Sequence, residues 1–328
     1  MEKNFSEITS LIKQTRISVI RIVNSELINL YWNIGQYIYF KIEQSNWGQS
    51  IVKELSDHIQ NTEPDIKGFS DKNLWRMKQF YEAYKDFPKL SPLVREISWT
   101  NNLLIFTRTK SAEEKEFYLK ICKQESYSKR ELDRQISSSL FERTMLGNSK
   151  VSTMLKDVEI DITNSFKDNY IFEFLNLPES HNESDLQKGL VKQMKSFILE
   201  LGKDFLFIDE EYKVQVGSSD FYIDLLLYHR GLQCLIAFEL KTDKFRPEHL
   251  GQLNFYLEAL DRDVKKPNEN PSIGVLLCKD KDNEIVEYAL SRSLSPTLVS
   301  EYKTQLPDKK ILQQKLHELF ARKSDDEF

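Results

Sequence analysis

The chain has 328 residues, 40% of them hydrophobic and 30% charged, a composition typical of a globular protein with room for two ordinary domains. No apolar run approaches ~20 residues, and no basic segment followed by an apolar core opens the chain. We therefore expect a cytoplasmic protein with neither a transmembrane span nor a signal peptide. The three cysteines and five histidines form no CxxC or HxxxH pattern, which argues against a zinc site.

The net charge of −5 is unevenly distributed. Residues 1–150 carry 23 Lys and Arg against 19 Asp and Glu, a charge of +4, whereas the remainder carries 23 against 32, a charge of −9. An acidic total does not favour non-specific binding to nucleic acid. The N-terminal half is consequently the better candidate for contacts with phosphate groups.

The first 42 residues are predicted to form one or two long helices. From residue 5 onward apolar side chains recur at intervals of three and four, the period of an amphipathic helix. The stripe consists of Ile8, Leu11, Ile12, Val19, Ile22, Val23, Leu27, Leu30, Tyr31 and Ile34. We interpret it as a helical core or as a surface for a second copy or a partner protein.

A helix is predicted over residues 71–85, with Ser70 as its N-cap. Lys72, Arg76 and Lys78 lie outside its apolar stripe, so the helix is either the recognition helix of a helix-turn-helix or a solvated face. A further helix is predicted over 129–141, where Ser128 and Glu131 fit a capping box. Its basic residues form a second candidate surface for phosphate: Lys129, Arg130 and Arg134.

The composition changes after residue 147, where a polar passage begins. We predict a helical N-terminal domain over residues 1–147, a linker over 148–169 and a second domain over 170–328. The second domain reads α-β-β-β-α-β-α-β. Its first helix is predicted to begin with a capping box formed by Ser184 and Gln187 and to end near Gly202.

The most informative stretch runs from Val214 to Tyr256. Residues 214–216 and 221–228 predict one strand arm after a short strand at 205–208. A turn at 229–231 leads into a buried strand at 232–240.

Each of the two later strands of this stretch carries one carboxylate where an apolar residue is expected. These are Asp224, between Ile223 and Leu225, and Glu239, between Phe238 and Leu240. Lys241 lies two residues after Glu239, so on a strand both side chains point to one face. Ionised carboxylates are costly to bury unless they are paired or hold a cation.

Two interpretations of this acid–acid–lysine pattern are open at this point. Carboxylate oxygens suit Mg²⁺, and a bound metal would lower the pKa of a water while the lysine orients it. Alternatively, Lys241 closes the hairpin as a structural salt bridge to Glu239 or Asp224. The helix that follows, with Pro247 in its first turn, places Gln252 and Tyr256 one turn apart on one face.

Four segments resemble the YhcG-like (DUF1016) family of the PD-(D/E)xK nuclease superfamily: FYIDLLLYH, FELK, GQLNFYLEALD and NPSIGVLLCKDKDNEIVEYAL. The run YWNIGQYI is similar to the start of that family's N-terminal domain. The resemblance implies an α/β restriction-endonuclease-like core, a mixed sheet flanked by helices, after an all-helical winged-helix or helix-turn-helix domain. It also implies a Mg²⁺-dependent nuclease, with Mn²⁺ able to substitute, acting on nucleic acid, most naturally DNA.

The resemblance also assigns roles to residues. Asp224, Glu239 and the backbone carbonyl of Leu240 would hold the metal, and Lys241 would orient the attacking water or stabilise the pentavalent phosphate. Gln252 would hold Lys241 or a phosphate, and Tyr256 would stack on a base, bond a phosphate or pack in the core. Glu183 resembles the glutamate that the first core helix supplies in this superfamily, although an acid that only stabilises the helix N-terminus is an equal alternative. Gln187 stands where the family commonly has an acid.

Two alternatives to a self-sufficient nuclease remain at the level of sequence. One is a catalytically silent nucleic-acid-binding regulator on the same scaffold. The other is a subunit that cuts only within a larger restriction or defence complex.

Overall fold

The computed structural model describes residues 5–44, 49–147, 151–152, 155, 165–293 and 295–325. The chain divides into two compact units, Met1–Ile136 and Ser137–Phe328. No helix within the described ranges combines the length and the apolar character needed to cross a membrane.

The N-terminal region is helical, as predicted. Its helices are α1 (Ser6–Gln44), α2 (Gln49–Thr62), α3 (Asp71–Tyr84), α4 (Ser91–Val94), α5 (Trp99–Arg108), α6 (Ala112–Glu125) and α7 (Lys129–Ser137). Residues 5–44 and 49–136 contain no β-strand that could form the wing of a winged helix. Of the two expected DNA-binding folds, only the helix-turn-helix is therefore compatible with the described residues.

The core of the first unit forms where α1 crosses α3. Tyr31 and Ile38 of α1 pack with Leu74 and Met77 of α3. A Cβ atom added to Gly35 would lie 2.1 Å from the carbonyl oxygen of Met77, so the two backbones touch at this crossing. Only the second half of α1 contributes to this core. Most of the predicted apolar stripe before residue 28 is exposed to solvent.

Both predicted helix caps of this unit are present. The Ser70 hydroxyl accepts a hydrogen bond from the amide of Asn73 at 3.4 Å. The Glu131 carboxylate accepts a hydrogen bond from the Ser128 amide at 2.7 Å, and the Ser128 hydroxyl accepts one from the Glu131 amide at 3.4 Å. The helix predicted to reach residue 141 ends at Ser137, because Ser139 adopts a left-handed conformation with φ of 56°. A separate helix, α8 (Leu140–Leu146), follows.

The second unit contains a six-stranded sheet with helices on both faces. Its remaining elements are β1 (Asn169–Ile171), α9 (Glu183–Lys192), α10 (Met194–Leu201), β2 (Phe205–Val216), β3 (Ser219–His229), β4 (Cys234–Leu240), α11 (His249–Ala259), β5 (Ile273–Cys278), α12 (Asn283–Leu290), β6 (Thr297–Lys303) and α13 (Lys309–Asp325). Apart from β1 and the division of the first helix into α9 and α10, this is the predicted order.

The sheet is mixed, with strand order β1-β6-β5-β4-β3-β2. Strands β2, β3 and β4 are antiparallel neighbours, whereas β4, β5, β6 and β1 run parallel. One face packs against α9 and α10 through Leu186 and Phe197, and the other against α11 and α12 through Leu253 and Val286. The structure thus confirms the predicted mixed sheet flanked by helices.

The boundaries predicted for the long hairpin were wrong. Residues 205–216 form one twelve-residue strand, and a turn at Gly217, with φ of +63°, separates it from β3. The acidic run of residues 209–211 falls between the predicted strands at 205–208 and 214–216. It belongs to a strand because β2 lies at the edge of the sheet, where polar side chains reach solvent.

The predicted start of the first core helix was also wrong. Asn182, not Ser184, caps α9, because Asp185 at the third helical position completes the reciprocal pair. The Asn182 side chain accepts from the Asp185 amide at 2.8 Å, and the Asp185 carboxylate accepts from the Asn182 amide at 3.4 Å. Glu183 is consequently the first residue of the helix.

Candidate active site

Asp224 and Glu239 lie side by side on adjacent antiparallel strands. The paired register of β3 and β4 ends at Leu225 and Phe238, so Asp224 and Glu239 occupy the next opposing positions. Glu239 is the penultimate residue of β4 and Asp224 lies in the middle of β3, just beyond the last pair of the ladder between the two strands. The hairpin thus brings together two carboxylates that are 15 residues apart in sequence.

Asp224 is held by two hydrogen bonds from outside its own strand. Its Oδ2 atom accepts from the backbone N–H of Leu240 at 2.8 Å, and its backbone carbonyl accepts from the side-chain amide of Gln187 at 2.9 Å. On the other side, β2 is irregular, with Glu211 at φ of 48°. Burial raises the pKa of the Asp224 carboxyl, while the Leu240 N–H and the charge of Lys241 oppose that rise.

Glu239 is the most enclosed acid of the group, with 2% of its surface exposed. Its Oε1 atom lies 2.9 Å from Nζ of Lys241. Its Oε2 atom is buried and has no hydrogen-bond partner in the part of the chain that the structure describes. Burial and the neighbouring charge of Asp224 raise the pKa of Glu239 to about 7, although the Lys241 ammonium favours the ionised form.

Lys241 connects the acids to the first core helix. Its Nζ donates to the carbonyl of Leu240 at 3.0 Å and to Oε2 of Glu183 at 3.3 Å, in addition to its contact with Glu239. Burial by itself would lower the pKa of Lys241, but the surrounding carboxylates together raise it above its ordinary value. Lys241 is therefore an ammonium ion at neutral pH.

Gln252 and Tyr256 lie on α11 and bond to each other. The Gln252 amide donates to the Tyr256 hydroxyl at 2.6 Å, rather than contacting Lys241. The Tyr256 side chain is 3% exposed and belongs to the core between α11 and the sheet. Its ring is therefore not accessible for stacking on a base. Burial raises the pKa of its hydroxyl, which is also close enough to sense the charges of Glu239 and Asp224.

The donor set suits a hard divalent cation. Among the described residues, no group of three or more His, Cys, Asp or Glu side chains could hold a metal ion. The available oxygens are instead two carboxylates and the Leu240 carbonyl, and Mg²⁺ commonly retains several waters around so few protein ligands. The buried Oε2 of Glu239 without a partner is the observation that fits a cation best.

A pocket of about 480 Å³ opens at the C-terminal ends of the parallel strands. Its lining residues are Glu179, His181, Asp243, Lys244, Lys279, Asp280, Tyr302, Lys303, Thr304, Gln305, Leu306 and Pro307. Two segments that line the pocket, one with His181 and one with Asp243, lie two residues in sequence from Glu183 and Lys241, respectively. Ligands of open α/β sheets commonly bind beyond these strand ends.

The predicted basic surfaces of the N-terminal region differ in exposure. Lys72 and Arg76 of α3 are exposed, whereas Lys78 pairs with Glu82 and lies 5.7 Å from the ring centroid of Trp75. On α7, Lys129 and Arg130 are exposed and Arg134 is half-buried.

Sequence reasoning missed the contribution of Gln187. From sequence, Gln187 is only a departure from the acid that the family commonly carries. The structure shows the amide donating to the Asp224 backbone, a bond that a carboxylate could not make. The signal is the polar residue immediately after Leu186 in the first turns of an amphipathic helix, but nothing local to it indicates its partner.

Two acids on neighbouring strands and a lysine two residues after the second, within a mixed sheet flanked by helices, define a PD-(D/E)xK nuclease domain. The DUF1016 N-terminal domain family model matches residues 7–143, and the YhcG PDDEXK nuclease domain model matches residues 163–317. The chain is 31% identical to the "Putative nuclease YhcG" of Escherichia coli (strain K12), over 94% of this chain and 92% of that protein. It therefore belongs to the YhcG family of PD-(D/E)xK nucleases.

A repair endonuclease from Pyrococcus abyssi is a structural match with 14% sequence identity and a TM-score of 0.26. The match covers 40% of this chain and 50% of the other.

Proposed function

We propose that the protein is a metal-dependent nuclease that hydrolyses phosphodiester bonds of DNA at the Asp224–Glu239–Lys241 cluster. The observation that carries this proposal is the contact of Lys241 Nζ with Oε1 of the buried Glu239 at 2.9 Å, beside the half-buried Asp224. A salt bridge alone would need only one acid, yet the half-buried Asp224 lies next to it, and partial burial of a second carboxylate has an energetic cost. A second acid in this position is expected when a cation binds between the two.

Mg²⁺, or Mn²⁺ in its place, would be held by the carboxylates of Asp224 and Glu239 and by the carbonyl of Leu240. When bound, it supplies a Lewis acid and a water of lowered pKa. The Leu240 N–H fixes Oδ2 of Asp224, which orients the carboxylate toward the cluster. The buried Oε2 of Glu239 provides a second hard oxygen.

Lys241 would act as a cation. Because the acids raise its pKa, its ammonium group remains protonated and cannot serve as a general base at neutral pH. It would donate hydrogen bonds to the attacking water or to the phosphate oxygens, where negative charge develops in the pentavalent transition state. Glu183 would position Lys241 from α9, and the hydrogen-bonded pair of Gln252 and Tyr256 would support the acids from α11.

The N-terminal domain, residues 1–147 in this proposal, would bind the DNA backbone and be joined by a linker over 148–169 to the nuclease domain over 170–328. Exposed basic residues of two helices support this role: Lys72, Arg76, Lys129 and Arg130. Lys78 and Arg134 would contribute less, because both are partly buried. Phosphate contacts of this kind supply affinity without reading sequence.

The test is a cleavage assay on plasmid, single-stranded and branched DNA, in Mg²⁺, in Mn²⁺ and in EDTA. Asp224→Asn is compared with Asp220→Asn, because Asp220 lies on the same strand but is partly exposed and pairs with Lys213 at 2.7 Å. We expect metal-dependent cutting that only Asp224→Asn abolishes. DNA binding without cutting in every arm would contradict the proposal and favour a binding regulator or a subunit that requires a partner.

A further inference from the structure

The first half of α1 presents an apolar stripe to solvent. Ten large apolar side chains between residues 5 and 30 are 37–70% exposed: Phe5, Ile8, Leu11, Ile12, Val19, Ile20, Ile22, Val23, Leu27 and Leu30. Among the side chains of the helix that the structure describes, the first that is fully buried is that of Ile28. An exposed apolar surface of this extent marks an interaction site in a folded protein.

The spacing of the stripe indicates what covers it. Phe5, Ile8, Ile12, Thr15, Val19, Ile22 and Glu26 follow one another at alternating intervals of three and four residues. This is the seven-residue repeat of a coiled coil, in which the repeating positions face a partner helix. The first six positions are apolar except for Thr15, and all six are exposed.

We propose that this stripe is a self-association surface, on which α1 of a second copy of the chain packs in the antiparallel direction over residues 5–22. The register places Phe5 opposite Ile22 of the second copy, Ile8 opposite Val19, and Ile12 opposite Thr15. Each pairing occurs twice because the two copies are related by a two-fold axis. All six layers then contain at least one large aliphatic or aromatic side chain.

The position of Glu26 selects this arrangement. In a parallel pair in register, each Glu26 would face its own counterpart in the seam, and like charges at such a position repel. An antiparallel register moved by one repeat would place Glu26 opposite Ile8 and bury an unpaired carboxylate. In the proposed register Glu26 lies beyond the last apolar layer and stays in solvent.

The apolar side chains of this segment supply part of the area that a stable dimer needs. A fully buried aliphatic side chain removes on the order of 100 Å² from water, so the half-exposed side chains of the segment offer roughly 300 Å² per copy; these are Phe5, Ile8, Leu11, Ile12, Val19 and Ile22. Stable interfaces bury about 800 Å² per partner, so the polar side chains beside the seam would contribute the remainder. Leu11 lies beside the seam within residues 5–22 and widens it beyond the two positions per repeat that a two-stranded coil requires.

Sedimentation equilibrium of the full-length chain, between about 1 and 100 µM, tests the association. We expect a dimer, and we expect Val19→Glu to shift its dissociation constant upward by at least about tenfold. The matched control is Ile20→Glu, because Ile20 is 70% exposed and lies about 100° away around the same helix. A monomer throughout this range, or equal effects of the two variants, would overturn the proposal.

Disulfide trapping tests the direction and the register. Ile8→Cys and Val19→Cys are prepared as separate proteins, and the native Cys122, Cys234 and Cys278 are all buried. After mixing and mild oxidation, the antiparallel register predicts a disulfide between the two variants, whereas either protein alone should remain largely uncrosslinked. Efficient crosslinking of each variant with itself would indicate the parallel arrangement and contradict the register. A dimer with no crosslink in the mixture would likewise contradict it.

Discussion

The side-chain amide of Gln187 donates a hydrogen bond to the backbone carbonyl of Asp224 at 2.9 Å. This bond ties the first core helix, which carries Glu183, to the strand that carries the first acid of the cluster. The neighbouring β2 strand is irregular at this point, with a left-handed residue at Glu211, and Gln187 supplies a hydrogen-bond donor there. Helix α9 therefore helps to set the position of Asp224.

Replacing Gln187 by methionine should destabilise the fold. The variant keeps the length of the side chain but leaves the partly buried carbonyl of Asp224 without this donor, which costs about 1 kcal/mol of the free energy of unfolding. Chemical denaturation measures this loss. Gln215→Met on the exposed edge strand is the control and should change stability by less than about 0.5 kcal/mol.

The stability of the metal-free protein should depend on pH through Glu239. Folding raises the pKa of this carboxyl from its ordinary value of 4.5 to about 7, so the folded state favours the protonated form. Its contribution to the free energy of unfolding is greatest below pH 4.5 and decreases as the pH rises toward 7. Replacing the carboxyl by an amide removes that pH dependence.

Glu239→Gln should therefore gain stability relative to the unmodified chain between pH 5 and pH 8. From pH 5 to pH 8, we expect the unfolding free energy of the variant to rise by about 1–3 kcal/mol relative to that of the unmodified chain. The measurement is urea denaturation in EDTA at both pH values. A difference that does not change with pH would show that Glu239 titrates as an ordinary carboxyl group.

The exposed basic residues of α3 should affect binding more than catalysis. Replacing Lys72 and Arg76 together by alanine should weaken DNA binding several-fold at low salt. It should also reduce the slope of log K against log salt concentration by up to about two in magnitude. The rate of cutting at saturating DNA should stay the same. Fluorescence anisotropy at several salt concentrations gives the slope, with Lys53→Ala on α2 as the control. An unchanged slope would remove α3 from the binding surface.

The sequence predicts that Asp224 and Glu239 are neighbours, because the information needed is local to one hairpin. Asp224 and Glu239 each interrupt an apolar strand, and the turn at residues 229–231 fixes which positions face each other. The length of β2 could not be predicted in the same way. Its acidic residues 209–211 are tolerated by an edge strand, and position in the sheet is a property of the whole domain.

The supporting contacts depend on tertiary structure. Gln187 and the Asp224 carbonyl are 37 residues apart, and no spacing rule joins a helix side chain to a particular backbone group. The burial of Tyr256 likewise follows from how α11 packs on the sheet, whereas its sequence allowed contact with a base or a phosphate equally well. The exposure of residues 5–27 on α1 could be decided only once the core beside Gly35 was known.

Cleavage of DNA by Lys241→Met and Lys244→Met, each in Mg²⁺ and in EDTA, tests the central claim most directly. Lys244 lies three residues further along the same segment, is 54% exposed and is 3.9 Å from Asp280. We predict Mg²⁺-dependent cutting that falls by at least about 10²-fold in Lys241→Met, because the charge beside the acids is lost, and that stays within about threefold in Lys244→Met. Undiminished cutting by a folded Lys241→Met, or cutting that persists in EDTA, would contradict the assignment of this cluster as a metal-dependent nuclease site.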